Sequence, residues 1–590
     1  MSKTLPRPSP LLGHPLPSTW FRTLCSVLAA GVLCVGIAKQ AQAASTWTTI
    51  ATEKQSFIVK NKTVRYGSGS TWITKKVEAE GVCTNAFFGS DPLPGVHKEC
   101  QISKPSTTAE STPASYTLTI ADPADGRIAG ATSGATFASG TAVTLTAVGE
   151  GAYGLKTWTG DAASCGASNP CQITMAGNKT VGVTFKTMPV GFGAGTTGGA
   201  GGKVVTVSTA KDLKAALCDK FDAAGTCQDD TPRIIQLTSV IDFTGSEGKS
   251  SAWICAKSSN ACKYQNTYQE KTIDYPVGTC HAADAKLADG SPDPFAKKQM
   301  DYDAAGGTPL RVGSNKTLIG IGAKAGLKGK GLMIAGVSNV IIRNLSLTDM
   351  DEWLVWGADA MTVVGASKVW IDHNYFARIG RQFIVTGWDF STNLTISNNF
   401  FDGAADYGYF CNGKHYWTLL FNGANENITL IANRFTNVSG RAPETGNTGG
   451  TIHIVNNLWD ANNYYISVGP SKSVVTFLEG NYFAPTTEFF IPINGQDANV
   501  NPVFAPLDGT IDVANVDCRD VLGRSCASNY ATNTGAANSL SGFVLNPAVM
   551  STLKSAPTLS RSMGLVRPMP YSKVTDHVKA KAGPQADPDQ

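Results

Sequence analysis

Short runs of β-branched residues recur along the middle of the chain, and each run ends in Asn followed by an aromatic or large apolar residue. The pattern extends from Val340 to Phe483, and its asparagines are Asn344, Asn374, Asn399, Asn433, Asn457 and Asn481. Successive asparagines lie 30, 25, 34, 24 and 24 residues apart. A repeat of this length indicates stacked units, since no single unit could bury its apolar face alone.

Each unit has the composition of a β-strand, so we predict an all-β fold in which the repeats stack as a right-handed parallel β-helix. Asn tolerates the left-handed bend that ends such a strand, and stacked Asn side chains can hydrogen-bond from coil to coil. The longer intervals must contain loop insertions, where functional sites are found. A leucine-rich repeat is the alternative, but the sequence lacks the Leu-x-x-Leu-x-Leu spacing of that class.

The N-terminal residues 1–43 have the features of a secretory signal peptide. Arg22 precedes an apolar run from Leu24 to Ile37, and Ala41-Gln42-Ala43 gives the small-residue cleavage pattern. The apolar run is too short to span a bilayer comfortably. We therefore predict a secreted, extracellular protein without a membrane partner.

Composition narrows the class of protein further. Hydrophobic residues make up 42%, charged residues 16%, and the 61 glycines indicate many turns. The net charge of +4 identifies no partner, and the chain has no basic run long enough to predict nucleic-acid binding. We expect a monomer.

The cysteines predict disulfide bonds rather than metal sites. Of 14 cysteines, Cys25 and Cys34 belong to the predicted signal peptide, which leaves an even number in an exported protein. No Cys-x-x-Cys motif occurs, and the histidines do not cluster with the cysteines. Neighbouring cysteines suggest four pairs: Cys83–Cys100, Cys165–Cys171, Cys218–Cys227 and Cys518–Cys526.

Three segments precede the repeat region. Residues 44–103 resemble, in Val64-Arg65-Tyr66-Gly67 and in the phrase from Phe87 to Pro92, small β modules of bacterial secreted polysaccharide-degrading enzymes. This module is either carbohydrate-binding or a spacer. Residues 104–115 are a Ser/Thr/Pro-rich linker. Residues 116–186 alternate apolar and polar positions and resemble the β-grasp-like repeat of internalin type, for which we expect no chemistry.

Several segments of the repeat region are too polar or too aromatic for scaffold alone. Each flanks a predicted strand, so their side chains could converge on one face of the helix. Asp372 and His373 could form an acid–base pair, but they directly precede Asn374, and we interpret them as an internal hydrogen-bonded pair that holds the turn. The segments are Trp356–Asp359, Trp370–Asn374, Ala377–Gln382 and Ser439–Pro443.

Taken together with His415-Tyr416-Trp417, the last three of these segments resemble, in order and approximate spacing, the pectin lyases of the pectate lyase superfamily. The resemblance covers residues 189–575 and implies a right-handed parallel β-helix. It also implies a polysaccharide lyase that cleaves methyl-esterified galacturonan (pectin) by β-elimination to 4,5-unsaturated oligogalacturonides.

The resemblance assigns roles to particular residues. It implies that Arg441 is the catalytic base and that Arg381 and Asp359 complete the catalytic site. It further implies two disulfides, Cys255–Cys280 and Cys262–Cys411. The residues that we expect to bind the substrate are Trp356, Trp417, Tyr407, Tyr409 and Arg378.

These residue types suit β-elimination. The reaction removes the C5 proton of a uronate and expels the C4 oxygen, so the developing enolate needs positive charge, which Arg381 can supply. A free guanidinium is a very poor base. A second cation nearby, together with burial, favours loss of its proton, which makes the Arg381/Arg441 pair plausible chemistry.

The metal requirement separates two lyase classes. Pectate lyases bind Ca²⁺ through carboxylates, and the resemblance aligns two of those positions with Arg381 and Val385, so we predict that no metal cofactor is needed. The alternative is a Ca²⁺-dependent pectate lyase acting on polygalacturonate, with Asp349, Asp351 and Asp359 as ligands.

Two further functions are less favoured. A β-helix hydrolase would need paired carboxylates, and the adjacent pair Asp229-Asp230 lies outside the repeats. A non-catalytic adhesin would lack converging Arg and Trp residues, and this sequence has both.

Overall fold

The computed structural model divides into two units, Met1–Thr112 and Pro113–Gln590. The predicted signal peptide, Cys262 and Cys280 lie outside the described residues, so the disulfides predicted for Cys262 and Cys280 are not described either. Among the described residues, no helix is long and apolar enough to cross a membrane. The structure describes residues 47–104, 114–256, 271–273, 275–276, 298–387, 389–446, 449–461, 463, 465–466, 473–484, 488–489, 502–531 and 545–589.

The first unit is a small antiparallel β module, with one short helix, Asn85–Phe88. The Cys83–Cys100 disulfide lies in its core beside Val64 and Tyr66. On the opposite face, the Arg65 guanidinium lies between the rings of Trp47 and Trp72, at 4.3 and 4.1 Å from their centroids. The carbohydrate-binding role of this β module stays a prediction. Its strands are Trp47–Thr52, Ser56–Ile58, Lys62–Ser68, Thr71–Val77, Glu80–Val82 and Glu99–Ser103.

The second unit begins with a seven-stranded β region whose core surrounds the buried Trp158. The Cys165–Cys171 disulfide connects two of its segments. The region packs against the C-terminal part of the chain, where the Tyr153 ring meets His577 edge-to-face at 5.5 Å. Its strands are Ser115–Ile120, Gly126–Ala129, Ala135–Ala138, Ala142–Gly149, Tyr153–Gly160, Cys171–Thr174 and Lys179–Thr187.

The rest of the unit is a right-handed parallel β-helix of three sheets, as the sequence predicts. The first sheet comprises Lys203–Val207, Arg233–Leu237, Lys316–Gly320, Ser338–Arg343, Ser367–Asp372, Thr392–Ser397, Glu426–Ile431, Gly450–Val455, Val475–Glu479 and Val503–Phe504. The second comprises Val240–Asp242, Gly326–Lys328, Ser346–Met350, Tyr375–Ile379, Phe400–Asp402, Arg434–Thr436, Leu458–Trp459, Tyr482–Phe483 and Tyr530–Ala531. The third comprises Leu310–Arg311, Leu332–Ala335, Met361–Val364, Ile384–Thr386, Leu419–Phe421 and Glu444–Thr445.

Helices and short strands complete this unit. The helices between Ile511 and Leu565 cover the outer face of the first sheet, where Phe477 and Phe504 pack against Cys518 and Val549. The helices are Ala210–Leu217, Ile511–Leu522, Pro547–Ser555, Pro557–Leu565 and Tyr571–Lys581. The further strands are Lys249–Ala256, Lys271–Ile273, Tyr275–Pro276, Lys298–Asp303, Tyr407–Gly408, Tyr465–Ile466 and Glu488–Phe489. The Cys218–Cys227 and Cys518–Cys526 disulfides are present, as predicted.

A ladder of asparagines joins the coils between the first and second sheets. The Oδ1 atom of Asn399 accepts hydrogen bonds from the backbone N and Nδ2 of Asn374, at 2.9 and 3.0 Å. The same pair of bonds recurs from each member to the next. This confirms the prediction that Asn amides hydrogen-bond from coil to coil. The ladder comprises Asn374, Asn399, Asn433, Asn457, Asn481 and Asn529.

The prediction for Asn344 is wrong by one position. Its φ is 60°, and it occupies the left-handed position that directly precedes the ladder, as does His373 with φ 54° one coil later. Leu345 takes the ladder position itself, and its backbone N donates to Asn374 Oδ1. The left-handed bend and the ladder hydrogen bonds, both attributed to the same Asn in the sequence pattern, thus belong to two successive residues.

A stack of aromatic rings fills the helix interior directly after the Asn ladder. Phe376, Phe401 and Phe435 are fully buried, with successive ring centroids 5.1 and 5.0 Å apart. Trp459 continues the stack at 5.0 Å. These phenylalanines form core, as the repeat phase predicts.

Asn433→Ala is expected to lower the free energy of unfolding of the β-helix by about 3 kcal/mol, because the buried Asn399 N–H and two backbone carbonyls lose their partners. Chemical denaturation followed by tryptophan fluorescence measures the change. Asn427→Ala is the matched control, because Asn427 lies half-buried on the outer side of the strand that ends at Ile431, and its expected effect is within about 0.5 kcal/mol. Equal losses in the two variants would contradict a stabilising ladder.

Candidate active site

The outer face of the third sheet forms the floor of a cleft. Its strands alternate, so that Leu332, Met361 and Ile384 point into the core while the residues next to them point outward. The outward residues stand opposite each other from coil to coil. The floor consists, in order, of Arg311, Met333, Thr362, Val385, Leu420 and Glu444. Its centre is uncharged, and a charged residue lies at each end.

Arg381 and Asp359 lie on neighbouring loops that lead into this sheet. Arg381 Nη1 is 3.7 Å from Asp359 Oδ2, and the backbone N of Gln382 donates to Asp359 Oδ1 at 2.9 Å. Burial raises the pKa of Asp359 above its usual value, although the Arg381 charge acts in the opposite direction. The carboxylate thus fixes the loop that carries Arg381.

Trp356 forms the outer wall of the cleft at Arg381. The Arg381 guanidinium lies 4.3 Å from the centre of the indole, and the Trp356 residue remains 49% exposed. Both residues line a cavity of about 180 Å³ that also touches Met333 and Thr362 of the floor. An exposed indole beside a cation provides an apolar face and a positive charge at one place.

Arg441 approaches the floor from a loop two coils beyond that of Arg381, before the strand Glu444–Thr445. Its φ of 47° is uncommon for a residue with a side chain. Its guanidinium lies 4.6 Å from the ring centre of Trp417 and 5.8 Å from that of Tyr416. Arg441 Nε is 2.5 Å from Glu444 Oε2, so the two residues form an ion pair. A residue held in the left-handed region is a common feature of functional sites.

His415 joins the two arginine loops. Its Nε2 lies 2.7 Å from the carbonyl oxygen of Arg381 and 2.9 Å from that of Trp417. Burial lowers the pKa of His415 to about 4, so the ring is neutral at higher pH and Nε2–H donates to these carbonyls. The ring also stacks on Phe383 at 4.6 Å. Trp417 belongs to the loop of His415 itself, and the backbone carbonyl of His415 accepts from Ser439 N at 2.8 Å on the loop of Arg441. His415 therefore connects the loops that carry Arg381 and Arg441.

Comparison with known proteins gives the family. The family model described as pectate lyase matches residues 290–515. A protein of Aspergillus terreus named probable pectin lyase F-2 is 34% identical over 400 residues, covering 67% of this chain and 73% of that protein. The chain belongs to the pectate lyase family. The probable pectin lyase F of Aspergillus niger is 35% identical over 67% of this chain and 74% of that protein. The probable pectin lyase E of Aspergillus fumigatus is 37% identical over 59% of this chain and 84% of that protein.

A separate model, described as divergent InlB B-repeat domain, matches residues 116–189 of this pectate lyase family member. The segment corresponds to the seven-stranded region that precedes the β-helix. None of the cleft residues described above lies in it.

Tyr409 and Trp417 lie together in one aromatic cluster at the Arg441 side of the cleft. Tyr409 stacks on Tyr416 with centroids 4.6 Å apart and meets Trp417 edge-to-face at 6.2 Å. Tyr416, which we did not predict as a site residue, links Tyr409 to Trp417. Trp417 is only 8% exposed, so it supports the guanidinium of Arg441 more than it offers a free face.

Tyr407 and Arg378 contact other parts of the chain. Tyr407 lies on a two-residue strand that pairs with Tyr275–Pro276. Arg378 lies on the solvent face of the second sheet, where its Nη2 donates to Asp349 Oδ2 at 3.0 Å. Their roles in substrate binding stay predictions, and the position of Arg378 gives its role no support.

The remaining polar candidates have structural partners. Asp372 and His373 are buried, with His373 Nδ1 2.6 Å from Asp372 Oδ2, and Arg343 Nε donates to the same carboxylate at 2.7 Å. They form the internal hydrogen-bonded pair expected from the sequence. Asp349, a ligand in the Ca²⁺ alternative, is bound by Arg378. The described part of the chain contains no group of three or more His, Cys, Asp or Glu side chains placed to hold a metal ion.

Proposed function

We propose that this protein is a secreted pectin lyase, which cleaves methyl-esterified galacturonan by β-elimination without a metal ion and releases 4,5-unsaturated oligogalacturonides. The arrangement of Arg381 and Arg441 at the edge of a cleft floor whose centre is uncharged carries the proposal. Val385 and Leu420 lie in the centre of that floor, where a neutral, esterified sugar fits better than a charged one. The names of the relatives support the same substrate.

Arg441 is the residue that we assign as base. Elimination begins when it takes the C5 proton, and the electrons of the C–H bond move toward the C6 carbonyl. A protonated guanidinium cannot accept a proton, so Arg441 must first release one. Glu444 Oε2, 2.5 Å from Arg441 Nε, lies within reach to take it. Glu444 was not among the predicted site residues.

Arg381 stabilises the enolate that forms at C6. Asp359 and the indole of Trp356 hold the Arg381 guanidinium in place before the reaction. The guanidinium therefore does not need to move as negative charge develops on the substrate. The enolate then collapses to the C4–C5 double bond, and the C4–O bond breaks. The departing oxygen takes a proton from water. Methyl esterification assists, because it removes the substrate charge and makes the C5 proton more acidic.

The cleft residues do not fit a Ca²⁺ ion. The pectate lyase pattern has carboxylates at two positions that align with Arg381 and Val385 of this chain. Arg381 places a cation at the first of them, and the Val385 side chain has no oxygen to bind a metal at the second. Asp359 is already paired with Arg381. Ca²⁺ takes six to eight oxygen ligands, so we derive no catalytic step through this ion.

Export to an oxidising compartment is part of the proposal. Four disulfides, each between cysteines close in sequence, support it. Cys411 is also disulfide-bonded. The signal peptide predicted over residues 1–43 would direct this export.

Activity on highly methylated pectin is expected to persist in the presence of a chelator. The measurement is ultraviolet absorbance of the unsaturated product, with highly methylated pectin and polygalacturonate run in parallel, each with Ca²⁺ and with chelator. Activity confined to polygalacturonate and lost with chelator would replace the proposal by a Ca²⁺-dependent pectate lyase. A folded protein that gives no product from either polymer would favour the adhesin.

A further inference from the structure

The cleft continues beyond the catalytic residues toward the first coils of the β-helix. Arg311 ends the floor on this side, and its Nη1 donates to Met333 Sδ at 3.0 Å. Pro309 lines both the cavity at Trp356 and a larger cavity of about 590 Å³ beyond it. One polymer chain lying along the floor would therefore enter both cavities.

The larger cavity has an excess of positive charge. Four of its lining residues are cations: Lys211, Lys214, Arg311 and Lys330. Its carboxylates are already neutralised. Glu247 pairs with Lys214 and Lys330, at 2.9 and 3.0 Å, and Asp219 pairs with the neighbouring Arg233.

Two of the cations remain available to a ligand. Within the described part of the chain, neither Lys211 nor Arg311 forms an ion pair. Phe221, 54% exposed, lines the same cavity and offers an aromatic face there. A guanidinium with an aromatic face nearby suits the carboxylate and the ring of a uronic acid.

The charge of the cleft thus changes along its length. Val385 and Arg311 are separated by three strand steps of the third sheet, or about 14 Å at the usual strand spacing. The floor between them is neutral, formed by Thr362 and Met333. A sugar at the reaction centre meets an apolar floor and two arginines that are already paired with Asp359 and Glu444. A sugar at the far end meets unpaired cations.

We infer that the cavity at Arg311 and Lys211 is a subsite for the free carboxylate of an unesterified galacturonate. The preferred substrate is then a partially methylated galacturonan, with an ester at the reaction centre and a free acid several sugars away toward the first coils. This inference rests on the proposed function and specifies its substrate class.

The test compares two pectins of equal chain length, one nearly fully methylated and one half-methylated, with the full-length protein. The measured quantity is kcat/KM on the half-methylated pectin divided by kcat/KM on the nearly fully methylated pectin. We expect Arg311→Gln to lower this ratio about tenfold, because the substitution removes one charge-assisted contact. The wild-type ratio should also fall as salt is added. Lys203→Gln is the control, because Lys203 is exposed on the strand Lys203–Val207 outside the cavity, and it should leave the ratio unchanged.

If Arg311→Gln leaves the ratio of the two kcat/KM values unchanged, whether kcat/KM falls equally on both pectins or on neither, the proposed subsite is wrong. Titration calorimetry with unmethylated trigalacturonate at low salt gives a second, activity-independent comparison. Weaker binding by Arg311→Gln than by wild type supports the subsite, and equal binding overturns it. Failure of the proposed function has a different result, since the wild type would then form no unsaturated product from nearly fully methylated pectin.

Discussion

Arg441→Ala is expected to lower kcat on highly methylated pectin by about three orders of magnitude, because the C5 proton then has no positioned acceptor. Its KM should change less, since Trp356 and Arg381 remain in place on two other loops. Initial rates of the ultraviolet absorbance increase, measured over a range of pectin concentrations, separate the two constants. Circular dichroism and the thermal midpoint establish that the variant is folded.

Arg434→Ala provides the matched control. Arg434 is also an arginine in an ion pair, with Asp460 at 2.8 Å, but it lies on the second sheet, away from the cleft floor. Its removal should leave kcat within about twofold of the wild-type value, as for a surface residue with no part in the reaction. If Arg441→Ala keeps more than a tenth of the wild-type kcat, Arg441 is not the base.

The β-helix scaffold could be predicted because its repeat is visible as a regular pattern in the sequence. Asn374, Asn399 and Asn433 mark the same point of successive coils, and the phenylalanine two residues after each Asn faces the interior. The first coil shows where such reasoning fails. Asn344 ends a β-branched run like the others, but the pairing of Arg343 with Asp372 shows that Asn344 stands opposite His373.

The contacts of the candidate site could not be predicted in the same way, because they depend on how loops of different length fold back onto the third sheet. Glu444 comes three residues after Arg441, and no repeat marks it, yet it forms the ion pair with that arginine. His415 was part of a recognised phrase, but its bonds to Arg381 O and from Ser439 N depend on the register of neighbouring coils.

Arg378 and Arg381 show how a small sequence distance can mislead. They belong to one phrase, and both were expected at the cleft. Arg378 faces solvent from the strand Tyr375–Ile379 of the second sheet, whereas Gly380 begins the bend to the third sheet, with its N–H bonded to Met350 O. Arg381 lies after this bend. Three residues therefore separate two different faces of the helix.

Arg381→Gln is expected to lower kcat on highly methylated pectin by about two to three orders of magnitude, as removal of one preorganised stabilising group does in other active sites. The enolate forms only after the C5 proton has left, so the charge of Arg381 acts mainly on the transition state, and KM should change little. The substitution also removes the cation that opposes the raised pKa of Asp359. The pKa of this carboxyl should therefore rise further, and the neutral form of Asp359 should persist to higher pH than in the wild type.

Arg378→Gln distinguishes this role from a general loss of positive charge in the same phrase. It removes an arginine three residues earlier, whose partner Asp349 lies on the second sheet. We expect kcat to stay near the wild-type value in Arg378→Gln and to fall only in Arg381→Gln, with both constants taken from initial rates on the same pectin. A similar fall in both variants would mean that the two arginines act on the substrate through long-range charge. A rise in KM with an unchanged kcat in Arg381→Gln would make Arg381 a residue for substrate binding, because its charge would then stabilise the ground state and the enolate equally.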